Sequence, residues 1–176
     1  MERIKWADRR FDFTFPVEIH PELLERLRGT PARTADRLTG ISSELLTRRR
    51  GRAWSPQEHA GHLADLDESL FLPRLEDYTA KVATLRPADM ANHQTEAANH
   101  NARSLDEVLH DFRRARSAIV GRLESLDPEM FARVAYHPRL HVPMRLVDMM
   151  FFQAEHDDYH LACISELLRA GGGKEP

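Results

Sequence analysis

Two stretches of the form Ser-x-x-Glu, Ser55-Pro56-Gln57-Glu58 and Ser104-Leu105-Asp106-Glu107, constrain this chain more than anything else in it. In each, the serine hydroxyl accepts from the backbone N–H of the glutamate, and the carboxylate reaches back to the serine N–H. The donors of an opening helical turn are thereby satisfied. Apolar residues at helical spacing accompany both: Leu63, Leu66 and Leu70 for the first, Leu105, Val108, Phe112, Ile119 and Leu123 for the second. A stripe of that period buries one face of a helix. Two-residue alternation, the mark of a strand, is confined to Phe11-Asp12-Phe13-Thr14-Phe15. That segment reads as one edge strand or as an extended arm lying on a helical body.

Two further helical patterns flank these. Thr30-Pro31 offers a cap and a suitable first residue, and Leu38, Ile41 and Leu45 carry the pattern to about Arg48. A shorter helix, Pro21 to Leu27, is expected before it, ending at Gly29. Pro73 should kink the Ser55 helix rather than end it, since Arg74 to Tyr78 still reads as helical. Residues 86–103, with Pro87, Asn92, Asn99 and Asn101, read as a long crossover loop, a length that is uncommon unless it serves function. The Ser104 helix ends near Asp127-Pro128. The stretch around Pro138 carries no clear pattern. A last helix runs from about Pro143 to Arg169 and is closed by Gly171. Four amphipathic helices and a long crossover predict an all-α four-helix bundle over residues 30–170. An arm and short helix precede it over 1–29, and a flexible tail follows over 171–176.

The 176 residues suit one domain. A net charge of −3 is too near neutral for a nucleic-acid binder, which presents a basic face. The run Arg48, Arg49, Arg50 and Arg52 reads as the charged end of a helix. With one cysteine, Cys163, no intrachain disulfide forms, in keeping with a reducing compartment. The first ten residues carry charges throughout, unlike a signal peptide. No apolar run approaches the ~20 residues of a membrane span. The expectation is a cytoplasmic protein with neither membrane nor nucleic acid as partner.

Histidine is the unusual count, with ten in the chain. His156 and His160 are four apart and stand on one helical face. With His156 at zero on a helical wheel, His160 falls at about 40°, Met149 and Leu167 near 20°, Cys163 near −20° and Phe152 near −40°. Both imidazoles therefore sit within the apolar stripe, where an unpaired polar ring costs free energy. A divalent metal supplies a shared reason, taking a lone pair from each ring while the other nitrogen donates to an acceptor. His59 and His62, three apart on the Ser55 helix, lie near or beside its core stripe, and either is placed to join the pair. Histidines 20, 93, 100, 110, 137 and 141 read as solvated, with His93 and His100 also placed to line the mouth of a site. The segment His156-Asp157-Asp158-Tyr159-His160 is not the zinc-protease motif, because Asp157 stands where that motif needs glutamate as general base.

Trp54-Ser55-Pro56-Gln57-Glu58, followed by Gly61-His62-Leu63-Ala64-Asp65, resembles the second-helix signature of the DinB/YfiT-like superfamily. Glu155-His156-Asp157-Asp158-Tyr159-His160 resembles its C-terminal H-x-x-x-H signature. The resemblance spans about Thr30 to Arg169. It implies an up-up-down-down bundle and a metal site on His62, His156 and His160, choosing His62 over His59. It also implies zinc or nickel, frequent homodimers, and activities that include thiol-dependent transferases and isomerases using bacillithiol, mycothiol or glutathione. Cys163 falls where the family often has polar residues. Buried cysteine usually packs as a small hydrophobe, and a fourth-ligand role is the alternative.

Three protein ligands leave a position on the metal for a substrate or a low-molecular-weight thiol, the layout of a catalytic site. The first functional expectation is a thiol-dependent transferase acting on a small molecule. Asp65 and Asp157 are the candidate acceptors that orient the imidazoles. A metal-dependent hydrolase is the second expectation. The third is a non-catalytic dimeric bundle whose metal, if any, is structural.

Overall fold

The structure, a computed structural model, describes residues 3–171. In chain order it forms α1 (His20–Leu38), α2 (Ser43–Leu46), α3 (Pro56–Leu66), α4 (Leu72–Thr79), α5 (His93–Ala98), α6 (Leu105–Glu124), β1 (Val134–His137), β2 (Val142–Arg145) and α7 (Leu146–Gly171). Both helix starts are closed as the Ser-x-x-Glu spacing predicts. Glu58 N donates to Ser55 Oγ at 3.1 Å and Ser55 N to Glu58 Oε2 at 2.8 Å. Glu107 N and Ser104 N repeat the exchange at 3.3 and 2.9 Å. Arg49, from the basic run, clamps the Glu58 carboxylate through Nε at 2.8 Å.

The long helices make a four-helix bundle in which α1 packs on α6 and α7, and α3 packs on the same two. Helices α1 and α3 therefore lie across the bundle from one another, although they are consecutive long helices in the chain. The core between them is filled by residues such as Leu27, Phe71, Leu75, Ile119, Val147 and Met150.

Several segments differ from the sequence reading. The short helix and the Thr30 helix are one continuous α1, so a boundary at residue 30 falls inside it, and the helix ends at Leu38 rather than Arg48. Pro31 lacks the N–H that would bond Leu27 O. The structure replaces it with Arg116 Nη1, which donates to Leu27 O at 3.0 Å. The chain does carry on helically past Pro73, and the irregularity lies just upstream in a π turn over Asp67–Phe71. Residues 86–103 hold α5 and a 3-10 turn, His100–Ala102. The unassigned stretch around Pro138 is an antiparallel hairpin pairing Val134 with Arg145 and His137 with Val142. Gly171 is the last residue of α7, and the expected tail beyond it lies outside the described residues.

Phe11 to Phe15 are an extended arm rather than a strand. Phe11, Phe13 and Phe15 are half-buried and alternate with exposed neighbours, as the two-residue period requires. Arg145 Nη2 donates to Phe13 O and Phe15 O, both at 3.0 Å, fastening the arm to the start of α7. No described helix is long and apolar enough to cross a membrane.

Candidate metal centre

Helices α3 and α7 are neighbours, and their facing stripes bring three imidazoles together. One ring nitrogen from each of His62, His156 and His160 lies within 4.8 Å of the other two. All three side chains are buried. Nε2 of His156 and Nε2 of His160 are 3.1 Å apart, and the His62 ring centroid lies 5.3 and 4.7 Å from theirs. Burial, with smaller contributions from His59 and His100, holds the His62 pKa down to about 3. Burial and the neighbouring rings push His156 and His160 well below the usual histidine range. The cluster is uncharged at neutral pH, with its lone pairs available.

Two of the three rings have a hydrogen-bond partner on their far side. Thr95 Oγ1 donates to Asp65 Oδ2 at 2.8 Å, which uses its proton. The 3.0 Å contact between His62 Nδ1 and Thr95 Oγ1 is then donated by His62, leaving its Nε2 unprotonated. Asp65 also accepts from His100 Nε2 at 2.8 Å. His160 Nδ1 lies 2.8 Å from His59 Nδ1, and with His160 as the donor of that bond its Nε2 carries no proton. His156 Nδ1 has no hydrogen-bond partner among the described residues. Its ring is positioned by packing, edge-on to Trp6 at 5.0 Å and 6.1 Å from Phe71.

A divalent cation fits these residues. Two uncharged imidazoles meeting Nε2 to Nε2 share one proton at most, whereas a cation takes both lone pairs together with that of His62. Two nitrogens on a tetrahedral ion lie about 3.3 Å apart when each bond is ~2.0–2.1 Å. The two Nε2 atoms, 3.1 Å apart, are close to that separation.

The remaining sequence candidates are placed differently. Asp65 reaches His62 through Thr95 rather than directly. Asp157 does not face the imidazoles: its Oδ2 accepts from Arg116 Nη1 at 2.5 Å, inside a network in which Arg116 Nε also donates to Asp67 Oδ2 at 2.8 Å. Three residues on from His160, Cys163 is half-buried, its thiol pKa pushed up by burial, and it is not one of the converging residues.

His100 and His137 are buried, contrary to the reading of both as solvated. His100 fills the space that Gly61 leaves, since a Cβ built on Gly61 would lie 2.3 Å from the His100 ring. A glycine inside a helix with no turn to make was the available signal. His137 occupies an inward position of β1. His93, His110 and His141 are exposed, and His20 stacks on Phe131 with ring centroids 4.0 Å apart. Sequence reasoning missed Thr95, and it missed Trp54, whose ring stands 4.6 Å from His62 while Nε1 donates to Glu96 Oε1 at 2.6 Å.

The three imidazoles open on a cavity of about 460 Å³. Trp54, Leu66, Leu70, Phe71 and Phe152 give it largely apolar walls. Among the described residues Asp89 is the one carboxylate lining it. That carboxylate already accepts from Ala91 N, His93 N and His93 Nδ1.

Residues 26–164 match the family described as the DinB superfamily. Among solved structures the chain resembles YfiT from Bacillus subtilis, described as "a probable metal-dependent hydrolase with an unusual four-helix bundle topology". That match has a TM-score of 0.79 at 20% identity and covers 93% of this chain and 94% of that one. A protein from Streptococcus pneumoniae matches with a TM-score of 0.63 at 14% identity, over 90% and 91% of the two chains. No curated protein matches by sequence.

Proposed function

The chain belongs to the DinB superfamily, and on that premise we propose that it is a metal-dependent enzyme that transfers a group between a small molecule and a low-molecular-weight thiol. The observation that carries this reading is the convergence of three uncharged, buried imidazoles on one point at the wall of an apolar cavity. Imidazole nitrogen suits zinc and nickel alike. A divalent cation there supplies positive charge that lowers the pKa of a thiol beside it and makes a thiolate nucleophile available at neutral pH.

The chain's own residues do the rest. Thr95 and His59 hold His62 and His160 in the tautomers that present Nε2. Trp6 and Phe71 pack the His156 ring in place. The apolar walls exclude water from a reactive sulfur and bind the carbon skeleton of the second substrate. Transfer to a thiol is favoured over hydrolysis by the lining. Hydrolysis calls for a base to take a proton from water, and the one lining carboxylate, Asp89, is engaged by three N–H groups. Hydrolysis is the second reading, supported by the description of YfiT.

Metal content comes first. Tag-free protein should carry about one zinc or nickel per chain, as a three-ligand site implies, and His156→Ala should lose it. Metal-loaded protein is then offered chlorodinitrobenzene with glutathione, bacillithiol or mycothiol, beside ester and amide substrates. Thiol conjugation that disappears in His62→Ala supports the proposal. Ester or amide turnover with the same dependence supports the second reading. Bound metal with no turnover of either kind, and a large fall in melting temperature on chelation, would leave a structural role.

A further inference from the structure

The chain contains two ways of burying an arginine. Arg116, 2% exposed, is met by the carboxylates of Asp67 and Asp157 and by Leu27 O. Arg74 is 1% exposed and meets no carboxylate among the described residues: Nε and Nη2 donate to Arg86 O at 3.1 and 3.0 Å, and Nη1 lies 3.1 Å from His137 Nε2. The nearby Asp77 is occupied by Arg86, whose Nη2 donates to it at 2.6 Å. Arg139 joins Arg74. Arg139 itself is only half-buried, but among the described residues it has no carboxylate partner either, its Nη2 is buried with no hydrogen bond, and its Nη1 reaches Ala7 O at 3.4 Å. Buried charges are normally paired. Burial lowers the pKa of Arg74 to about 10, outweighing the nearby charge of Asp77, and lowers that of Arg139.

His137 adds a second anomaly. Leu140 N donates to its Nδ1 at 3.1 Å while Arg74 Nη1 points at its Nε2. An uncharged imidazole accepts once and must carry an N–H on its other nitrogen. With Nδ1 accepting from Leu140, the ring turns Nε2–H toward an arginine N–H, and two donors confront each other at the cavity wall. An oxyanion resolves the conflict by accepting from both.

Arg74, His137 and Arg139 all line the cavity of the metal centre. An aromatic wall connects the two poles: the His137 ring is 5.3 Å from Phe152, Phe152 is 5.0 Å from Trp6, and Trp6 is 5.0 Å from His156. The guanidinium of Arg139 lies over Phe152 at 5.5 Å. Arg52 at the rim adds to the positive charge, and among the described residues lining the cavity Asp89 alone opposes it.

We propose that Arg74, His137 and Arg139 form an oxyanion-binding pole, and that the substrate is a small molecule with an apolar body and a terminal carboxylate. The carboxylate sits on the arginines, the body lies along Phe152 and Trp6, and the reacting end faces the three imidazoles. The inference deepens the proposed function and rests on it for the role of the imidazole end. The anion pole itself does not require the metal.

Binding of phenylalkanoates, from phenylacetate to phenylbutanoate, and of the matching amides tests this through the fluorescence of Trp6 and Trp54. It is run on wild type, His156→Ala, Arg139→Gln and Arg139→Lys, each checked for its melting temperature and metal content. The acids should bind more tightly than the amides in wild type and in His156→Ala, where no metal is present to hold a carboxylate. Arg139→Gln should weaken the acids by about tenfold or more, as expected for a lost charge-assisted contact, and leave the amides and the metal content unchanged. Arg139→Lys, which keeps the charge without the fork, should fall between. Equal binding of acids and amides, no binding of any acid, or acid binding indifferent to Arg139→Gln would each overturn the inference. Should Arg139→Gln fail to fold, displacement of the acids from wild type by inorganic phosphate, but not by equal ionic strength of sodium chloride, carries the same test. A wild type that prefers acids yet holds no metal refutes the metal-dependent reading and leaves the anion pole standing.

Discussion

Thr95 is the residue on which the orientation of His62 turns, because its hydroxyl accepts from the ring and donates to Asp65 in one line. Thr95→Val keeps the shape and removes both bonds. Metal affinity should fall roughly 10- to 100-fold, the usual effect of losing a ligand's outer hydrogen bond, as read by competition with a chromophoric chelator. An affinity within twofold of wild type would mean that packing alone orients His62. Gly61→Ala drives a methyl into the His100 ring. It should destabilise by about 1–3 kcal/mol, as overpacking does, and His100→Ala in the same chain should relieve it. Acid sensitivity belongs to this scale too. Burial, with Arg74 and Arg139 behind it, lowers the His137 pKa from its usual 6.5 to about 3. Between those values the unfolded chain holds a proton that the folded one does not, so stability falls as pH drops through that window. The slope is about 1.4 kcal/mol per pH unit for one group. In metal-free protein, urea midpoints from pH 7.5 down to 4 should fall less steeply for His137→Gln than for wild type, and parallel curves would refute it. His156 and His160 were legible because a fixed spacing puts them inside an apolar stripe. Thr95 and His137 lie on a crossover and a hairpin, where no period marks which side chain turns inward.

At the scale of the element, α1 shows how a rule read from the sequence yields to its tertiary setting. Gly29, Thr30 and Pro31 have the chemistry of one helix ending and another beginning, yet α1 runs through all three. What the local rule lacks is a donor from elsewhere for Leu27 O, and Arg116 of α6 provides it. The same guanidinium holds Asp67 at the π turn and Asp157 on α7, and Gln153 Nε2 also donates to Asp67 at 2.8 Å. One side chain thus ties together α1, the π turn and α7 from its place on α6. Removing it strands two carboxylates and a carbonyl in the core. Arg116→Ala should cost about 3–5 kcal/mol, the range for breaking a buried ion pair from one side, measured by urea denaturation. Arg116→Met with Asp67→Asn and Asp157→Asn should recover much of the loss by removing the stranded charges. A single variant within about 1 kcal/mol of wild type, far below that range, would show that water or a rearranged α1 satisfies these groups. The helix starts were legible because a capping box is closed within four residues. The continuity of α1 was not, because its reason lies 85 residues downstream.

Across the whole molecule, the sequence pointed to four packed helices but not to their order around the bundle. Amphipathic stripes state which face is buried and leave the neighbour open. With α1 and α3 on opposite sides, α7 is the neighbour of α3, and that adjacency brings residues 62, 156 and 160 together. A cation held there is a cross-link between two helices far apart in sequence, and the unfolded chain lacks it. Binding to the folded state alone stabilises by about 2.7 kcal/mol when free metal is 100 times its dissociation constant. For a domain of this size each kcal/mol moves the melting temperature by about 2–4 °C, so zinc or nickel at that excess should raise it by roughly 5–11 °C over chelated protein. The gain should vanish in His62→Ala, where α3 no longer contributes a ligand, and in His156→Ala and His160→Ala. Arg139→Gln, at the other pole of the cavity, should keep it in full. If His62→Ala retained the whole gain, the stabilising ion would be held within α7 or elsewhere on the surface, and the two helices would not share it.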